Sequence, residues 1–259
     1  MHQWDPAQYE KFEKERNQPF YDLLQLIHPI RHPRIVDLGC GNGALTSFLH
    51  AQVHASYTLG IDASKEMLSK ASHLQTPTLK FEECDIQTIA FDQPFDLIIS
   101  NAALQWIPNH AKLMEQLTSF LVPEGQLAIQ MPVNQSFATH VIAEELAREE
   151  PFKQMFSNQD APFHHMLQME EYAQLFESLG FENQIIRLQL YSHYLESTAS
   201  VIEWVKGSLL TYYKAKLGPS LYPQFFNEYQ KRVLQKLGWS EPFFFPMKRL
   251  LMWAQLPAH

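Results

Sequence analysis

The sequence predicts an α/β fold with a doubly wound, mostly parallel sheet. Three observations predict it. From residue 34 onward, short apolar runs alternate with amphipathic stretches of helical length. The first run ends in a glycine-rich turn, and a helix-like segment follows it at once. Polar side chains then recur at the ends of the next runs, at Asp62, Asp85 and Asn101.

Each element follows in order. Arg34-Ile35-Val36-Asp37-Leu38 reads as the first strand, ending in Gly39-Cys40-Gly41-Asn42-Gly43, with a helix from Ala44 to about Leu49. Tyr57 to Ile61 reads as the second strand and stops at Asp62; Ser64 caps the next helix, with Met67, Leu68 and Ala71 on one face. Leu79-Lys80-Phe81 begins a third strand, with Cys84-Asp85-Ile86 just beyond it. Phe95 to Ser100 is the fourth, and a helix from about Asn109 carries Leu113, Leu117 and Leu121. Pro123-Glu124-Gly125 reads as a turn before a fifth strand, Gln126 to Met131.

After Pro132 the rhythm changes. Residues 136–180 read as helical, with apolar spacing through Val141, Leu146, Leu167, Tyr172, Leu175 and Leu179. Gln184 to Tyr194 reads as a long strand, 197–237 as helical and aromatic-rich, and Met247 to Gln255 as the last strand, after Phe243-Phe244-Phe245-Pro246. One domain is expected over 1–259. It comprises an N-terminal helical segment (1–32), a ligand-binding half (33–132), and sheet-completing strands with helices inserted as a lid (133–259).

Composition excludes several classes. The chain is 46% hydrophobic and 19% charged, which is ordinary for a globular protein. The net charge of −8 argues against nonspecific nucleic-acid binding and against docking on anionic membranes. Two cysteines, Cys40 and Cys84, make no disulfide framework and no CxxC metal site. With no signal-peptide core at the N-terminus and no apolar run of membrane-spanning length, a cytoplasmic protein is expected. His164-His165 lacks a partner at ligand spacing, so no metal is expected.

The glycine turn binds something. Its glycines let backbone approach a ligand, and the helix behind them points free N–H groups at it. A dinucleotide or S-adenosyl-L-methionine fits such a turn. Asp37 separates the two: a carboxylate there would repel a pyrophosphate but suits a cationic sulfonium amino acid. Asp62 can accept from both ribose hydroxyls, a role that serves either ligand. Asp85 and Ile86 can meet the adenine amine and ring face, and Met67 can pack on the other face. All of these lie at carboxyl ends of strands, where open α/β sheets bind ligands.

At Val36-Asp37-Leu38-Gly39-Cys40-Gly41-Asn42-Gly43 the sequence resembles the class I methyltransferases. Trp4-Asp5-Pro6-Ala7-Gln8-Tyr9, Gly60-Ile61-Asp62-Ala63-Ser64, Ser100-Asn101-Ala102-Ala103-Leu104-Gln105-Trp106 and Gln130-Met131-Pro132 resemble segments of the trans-aconitate methyltransferases. So do Glu203-Trp204-Val205-Lys206-Gly207 and Phe245-Pro246-Met247-Lys248-Arg249-Leu250. Asn42 departs from the proline usual in that family, and the similarity weakens between Ser208 and Lys236. The resemblance implies the seven-stranded class I sheet with helical additions. It also implies a cofactor shell of Asp37, Gly39, Asp62, Asp85, Ile86 and Asn101, with Cys40, Gly41, Gly43, Ala63, Met67 and Ala102 as further candidates beside them.

A sulfonium methyl is already activated, and a carboxylate acceptor is ionised at pH 7, so no general base is required. Trp106 and Tyr9 are candidates at the reacting centre. An acid substrate needs cations and hydroxyl donors. Lys206, Arg249, Arg16, His193 and Trp204 are the candidates, with Lys248, Tyr9 and Tyr191 behind them. Trp204, at helical spacing with Val201 and Leu209, also reads as core, as does the Phe243–Phe245 run. The expected function is methyl-ester formation on a small carboxylic acid, trans-aconitate first. The alternatives are another small or carrier-bound carboxylate, an NAD-dependent oxidoreductase, and a noncatalytic S-adenosylmethionine-binding protein.

Overall fold

The computed structural model describes residues 13–156 and 165–258. Seven strands form one sheet in the order β3-β2-β1-β4-β5-β7-β6. They are β1 (Arg34–Leu38), β2 (Tyr57–Asp62), β3 (Leu79–Glu83), β4 (Phe95–Asn101), β5 (Leu121–Pro132), β6 (Asn183–Leu195) and β7 (Phe243–Gln255). The pairs β1–β2, β1–β4, β2–β3 and β4–β5 are parallel, and β5–β7 is antiparallel. The mostly parallel seven-stranded sheet is therefore as expected. The order reverses at β1, the switch point where such sheets bind ligands at their carboxyl ends.

The helices are α1 (Glu13–Leu24), α2 (Ala44–Gln52), α3 (Lys65–Ala71), α4 (His110–Thr118), α5 (Ala138–Ala147), α6 (Met169–Ser178), α7 (Ala199–Lys206) and α8 (Leu209–Leu237). The Ser64 cap read from sequence is present, and the helix expected from about Asn109 has Asn109 itself as its cap. Ser64 accepts from the Met67 N–H, and Asn109, in the left-handed region, accepts from the Lys112 N–H.

Contacts divide the chain into two compact units. One contains 17–132, 165–189 and 249–258; the other contains 13–16, 133–156 and 190–248. In the first, Phe20 and Leu23 of α1 and Leu49 of α2 cover one face of the central strands, against Ile35, Leu97, Ile99, Ala128, Leu251 and Trp253. Gln126 anchors the chain after α1 to that face. Its amide accepts from the His28 N–H (2.9 Å) and the Trp253 Nε1–H (2.6 Å), and donates to the His28 carbonyl (3.0 Å). In the second unit an aromatic cluster stacks Tyr213, Phe225 and Tyr229.

Several boundaries differ from the sequence reading. Pro123-Glu124-Gly125 is not a turn between elements but the irregular start of β5, where the register against β4 shifts between Phe95 and Leu97. Its backbone is used up by the chain's end: Glu124 N–H donates to the Pro257 carbonyl, and Leu256 N–H to the Gly125 carbonyl. The last strand begins at Phe243, not Met247; Phe243 and Phe245 are buried, as core, while Phe244 is exposed. Val141 has the spacing of the apolar face of its helix but is exposed, and Ile142, Ala143 and Leu146 make the buried stripe instead. The helical stretch 197–237 is two helices, and Gly218 interrupts α8 with φ +64°.

Candidate active site

The site is built at the carboxyl ends of β1, β2 and β4. Gly39, Gly41 and Gly43 all have positive φ, so the turn after β1 follows a path that side chains resist. Gly39 is the tightest. A Cβ there would lie 2.2 Å from the Ala103 Cβ, so only glycine lets the turn pass the segment after β4. The turn is also tied to β2, because the Gly39 and Cys40 N–H groups both donate to the Ile61 carbonyl.

Two carboxylates bracket the turn. Asp37 is buried and accepts from the Thr46 hydroxyl at 2.6 Å. Burial pushes its pKa up to about 7; the Thr46 hydrogen bond opposes this, and the nearby Asp62 carboxylate adds to it. Asp62 accepts from the Gly41 N–H on one oxygen (2.9 Å) and from the Ser64 N–H on the other (2.8 Å). Each oxygen keeps a second lone pair for a diol. Burial raises the Asp62 pKa, against these backbone hydrogen bonds. Cys40 is buried and its thiol is pushed well up by burial and the neighbouring carboxylates, so it acts as packing, not as a nucleophile.

The other expected shell residues lie around this turn. Met67 is buried, with its Cε 3.6 Å from where a Cβ on Gly41 would stand; Ala63 is exposed beside Asp62. Asp85 is exposed and caps the short turn after β3 through the Gln87 N–H, while Ile86 is buried next to it. Asn101 ends β4, and its Oδ1 is buried with no hydrogen-bond partner. Ala102 adopts φ +57° and is held at both ends: its N–H donates to the Gln130 carbonyl (2.9 Å), and its carbonyl accepts from Gln105 Nε2 (2.7 Å). Trp106 follows, half-buried, in the helical turn Leu104–Trp106.

That turn is braced from behind. His110 Nε2–H donates to the Leu104 carbonyl (3.0 Å), so its Nδ1 is the acceptor for the Tyr172 hydroxyl. The Tyr172 oxygen in turn accepts from the Leu167 N–H. Burial lowers the His110 pKa, which keeps the ring neutral, as this chain of hydrogen bonds requires.

The substrate candidates are spread over both units. Arg249 is buried in β7, opposite Pro132 of β5. Lys206 in α7 pairs with Glu203 at 2.5 Å and lies over the Phe226 ring, so much of its charge is already matched. His193 and Trp204 are buried with rings 5.4 Å apart, and Trp204 packs edge-on against Phe245, which is a core environment. Lys248 is exposed and Tyr191 buried. Tyr9 and Trp4 lie outside the described residues, as does the side chain of Arg16, which stands in the first turn of α1. Among the described residues no cluster of His, Cys, Asp and Glu has metal-holding geometry, and no helix is long and apolar enough to cross a membrane. The sequence reading missed Thr46 as the partner of Asp37, and gave Gln105 and Gln130 no role.

A sheet ordered β3-β2-β1-β4-β5-β7-β6 with an antiparallel β7, and a carboxylate-bracketed glycine turn at its switch point, define the class I methyltransferase fold. Residues 31–188 match a methyltransferase domain family, to which the chain belongs. It is 36% identical over 236 residues to the trans-aconitate 2-methyltransferase of Variovorax paradoxus, covering 91% of this chain and 90% of that one. It is 34% identical over 257 residues to the trans-aconitate 2-methyltransferase of Deinococcus radiodurans, covering 98% of both. Among solved structures, the YcgJ protein of Bacillus subtilis superposes with a TM-score of 0.57 at 14% identity, over 92% of this chain and 97% of its own. Phosphoethanolamine N-methyltransferase 2 of Haemonchus contortus, in complex with S-adenosyl-L-methionine, superposes with a TM-score of 0.56 at 18% identity, over 93% of this chain and 52% of its own.

Proposed function

We propose that this chain is an S-adenosylmethionine-dependent O-methyltransferase that forms a methyl ester on trans-aconitate. The observation that carries the substrate is the agreement of relatives 32–36% identical over about nine-tenths of the chain or more, all named trans-aconitate 2-methyltransferase. The residues present fit the cofactor. Asp37 and the unpartnered Asn101 Oδ1 offer a carboxylate and an acceptor to an ammonium, Asp62 retains lone pairs for a ribose diol, and Gly41 leaves the approach open.

When bound, S-adenosylmethionine supplies a methyl group already activated by its sulfonium. Asp37 and Asn101 would hold its amino-acid end and Asp62 its ribose, and a carboxylate oxygen of the acid would be the methyl acceptor. Only the charge of the reacting carboxylate is discharged against that of the sulfonium, so no proton moves and no general base is needed. The chain's own work is to hold the two partners in line and exclude water. The braced turn Leu104–Trp106 and the pinned Ala102 suit that task, because their positions are over-determined by hydrogen bonds. Two free cysteines fit a reducing compartment, in keeping with a cytoplasmic enzyme.

The test is transfer of labelled methyl to a panel containing trans-aconitate, citrate and isocitrate. Base-labile label on trans-aconitate is the expected result. Cofactor binding without transfer to any acid would leave the fold reading standing and overturn the substrate.

A further inference from the structure

We infer that Gln130 is a specificity-determining residue that donates a hydrogen bond to a non-reacting carboxylate of the methyl acceptor, an assignment that rests on the function proposed above. Register partners in a sheet point to the same side, and alternate residues of a strand share a face. Asp37 lies opposite Ile99, Asn101 opposite Gln130, and Gln130 opposite Leu251; one step on, Pro132 lies opposite Arg249. Asp37, Asn101, Gln130 and Arg249 therefore form a row on one face, across β1, β4, β5 and β7. The face also carries Ile35, Leu97, Ile99, Ala128 and Trp253, which confirms its continuity.

The row runs from a carboxylate to a cation. Strands lie about 4.8 Å apart, so Gln130 stands roughly 10 Å from β1 and its glycine turn. That is one strand beyond Asn101, on the side of Arg249. Gln130 is 1% exposed, and its Nε2 is buried without a hydrogen-bond partner among the described residues. More than about nine in ten buried polar groups are paired, so a donor in this position calls for an acceptor. Its diagonal neighbour across β5–β7 is Arg249, 7% exposed, at a Cα separation of roughly 7–8 Å. An amide N–H and a guanidinium on one face have an anion as their common acceptor, and a planar carboxylate has the two oxygens to serve both.

The chemistry explains why such a clamp belongs here. An acid with several carboxylates presents one to the methyl group and must have another held elsewhere. A neutral amide beside Arg249 holds that second group and so selects which oxygen reacts. Asn101, one strand nearer β1, carries a buried acceptor and suits the cofactor's ammonium, whereas the Gln130 donor does not.

The experiment uses Gln130→Leu and Gln130→Glu in the full chain. Four readouts are taken: KM for trans-aconitate, the Kd of S-adenosylhomocysteine by calorimetry, the Kd of the acid for protein saturated with that product, and the Tm. The loss of one hydrogen bond to a charged group predicts a roughly tenfold to hundredfold rise in KM and Kd for the acid with Leu, and a larger one with Glu, which repels carboxylate. The Kd of S-adenosylhomocysteine stays within about twofold. The Tm of the Leu variant does not fall, since no hydrogen bond within the protein is lost. A glutamine that only supports the fold would lower Tm and leave the acid's Kd alone, and that result overturns the assignment. Weakened S-adenosylhomocysteine with unchanged acid affinity also overturns it, moving Gln130 to the cofactor. If the wild type ignores trans-aconitate but binds another polycarboxylate, the proposed substrate fails by itself. That acid's affinity for the Leu variant then decides Gln130: a tenfold loss upholds it and no change refutes it.

Discussion

Replacing Asp37 by asparagine makes the ligand-free protein more stable at alkaline pH and a worse cofactor binder. Burial raises the Asp37 pKa from 3.8 to about 7 in the folded chain. At about 1.36 kcal/mol per pKa unit, that gap is worth roughly 4 kcal/mol. For an acid whose folded pKa is raised, the folded state binds more protons than the unfolded state between the two values. Stability from this group is therefore fully present below pH 3.8 and lost as pH rises to about 7. Asparagine cannot ionise, and its carbonyl can still accept the Thr46 hydroxyl. The stability advantage of the Asp37→Asn variant over wild type thus starts near zero at about pH 3, reaches roughly 1.7 kcal/mol at pH 5, and levels off near 4 kcal/mol above pH 7. At about 2–4 °C per kcal/mol, the plateau is a Tm rise of the order of 8–16 °C. Thermal unfolding of both proteins from pH 4.5 to 9 reads this difference, because every titrating group that does not feel the Asp37 charge cancels. The amide's own hydrogen bonding adds only a pH-independent offset, so the slope carries the test. The cofactor arm runs the other way. Wild-type affinity for S-adenosylmethionine should weaken about tenfold per pH unit below 7, where Asp37 must first lose a proton, and be flat above it, while the variant binds weakly at every pH. A Tm difference independent of pH, or a wild type more stable than the variant at pH 8, would refute the reasoning.

Three further outcomes are expected. Gly39→Ala meets the Ala103 Cβ at 2.2 Å from a left-handed φ, so it should cost at least about 2 kcal/mol and abolish cofactor binding, read by chemical denaturation and calorimetry; near-normal values would show that the turn can shift. Gln126→Leu strips partners from the His28 N–H, the His28 carbonyl and Trp253 Nε1, a loss of about 2–4 kcal/mol that should appear as a lower urea midpoint with kcat nearly unchanged in the protein that remains folded. Tyr172→Phe leaves the Leu167 N–H and His110 Nδ1 without their partner and should cost about 1–3 kcal/mol, with the larger effect on kcat if the Leu104–Trp106 turn needs its brace; unchanged stability and kcat would show the brace to be dispensable.

Local signals survived folding where neighbours along the chain decide the outcome. The glycine turn, the Ser64 cap, the helix start near Asn109, and the placement of Asp62 and Asn101 at strand ends and of Asp85 just past one all depend on residues within a few positions of each other. The misread segments share the opposite trait. Pro123-Glu124-Gly125 carries turn chemistry, yet the returning chain at Leu256 and Pro257 captures its backbone and draws it into β5. Val141 has the spacing of a core residue, but Ile142, Ala143 and Leu146 fill the buried stripe of α5, and a one-residue rotation turned Val141 out. The Phe243–Phe245 run reads as core throughout, but the alternation of β7 buries Phe243 and Phe245 and exposes Phe244.

The sequence by itself determined the class of fold, the binding turn and the carboxylates that flank it, because a strand–turn–helix unit is specified by contiguous residues and glycine's freedom at positive φ. Only the tertiary structure brought Gln126 to His28, 98 residues away, and to Trp253, 127 away. Only the tertiary structure lined up Asp37, Asn101, Gln130 and Arg249 on one face. The physical reason is register: side chains alternate sides with a period of two, so which distant polar groups meet depends on how strands pair, and pairing is settled by the packing of the whole sheet.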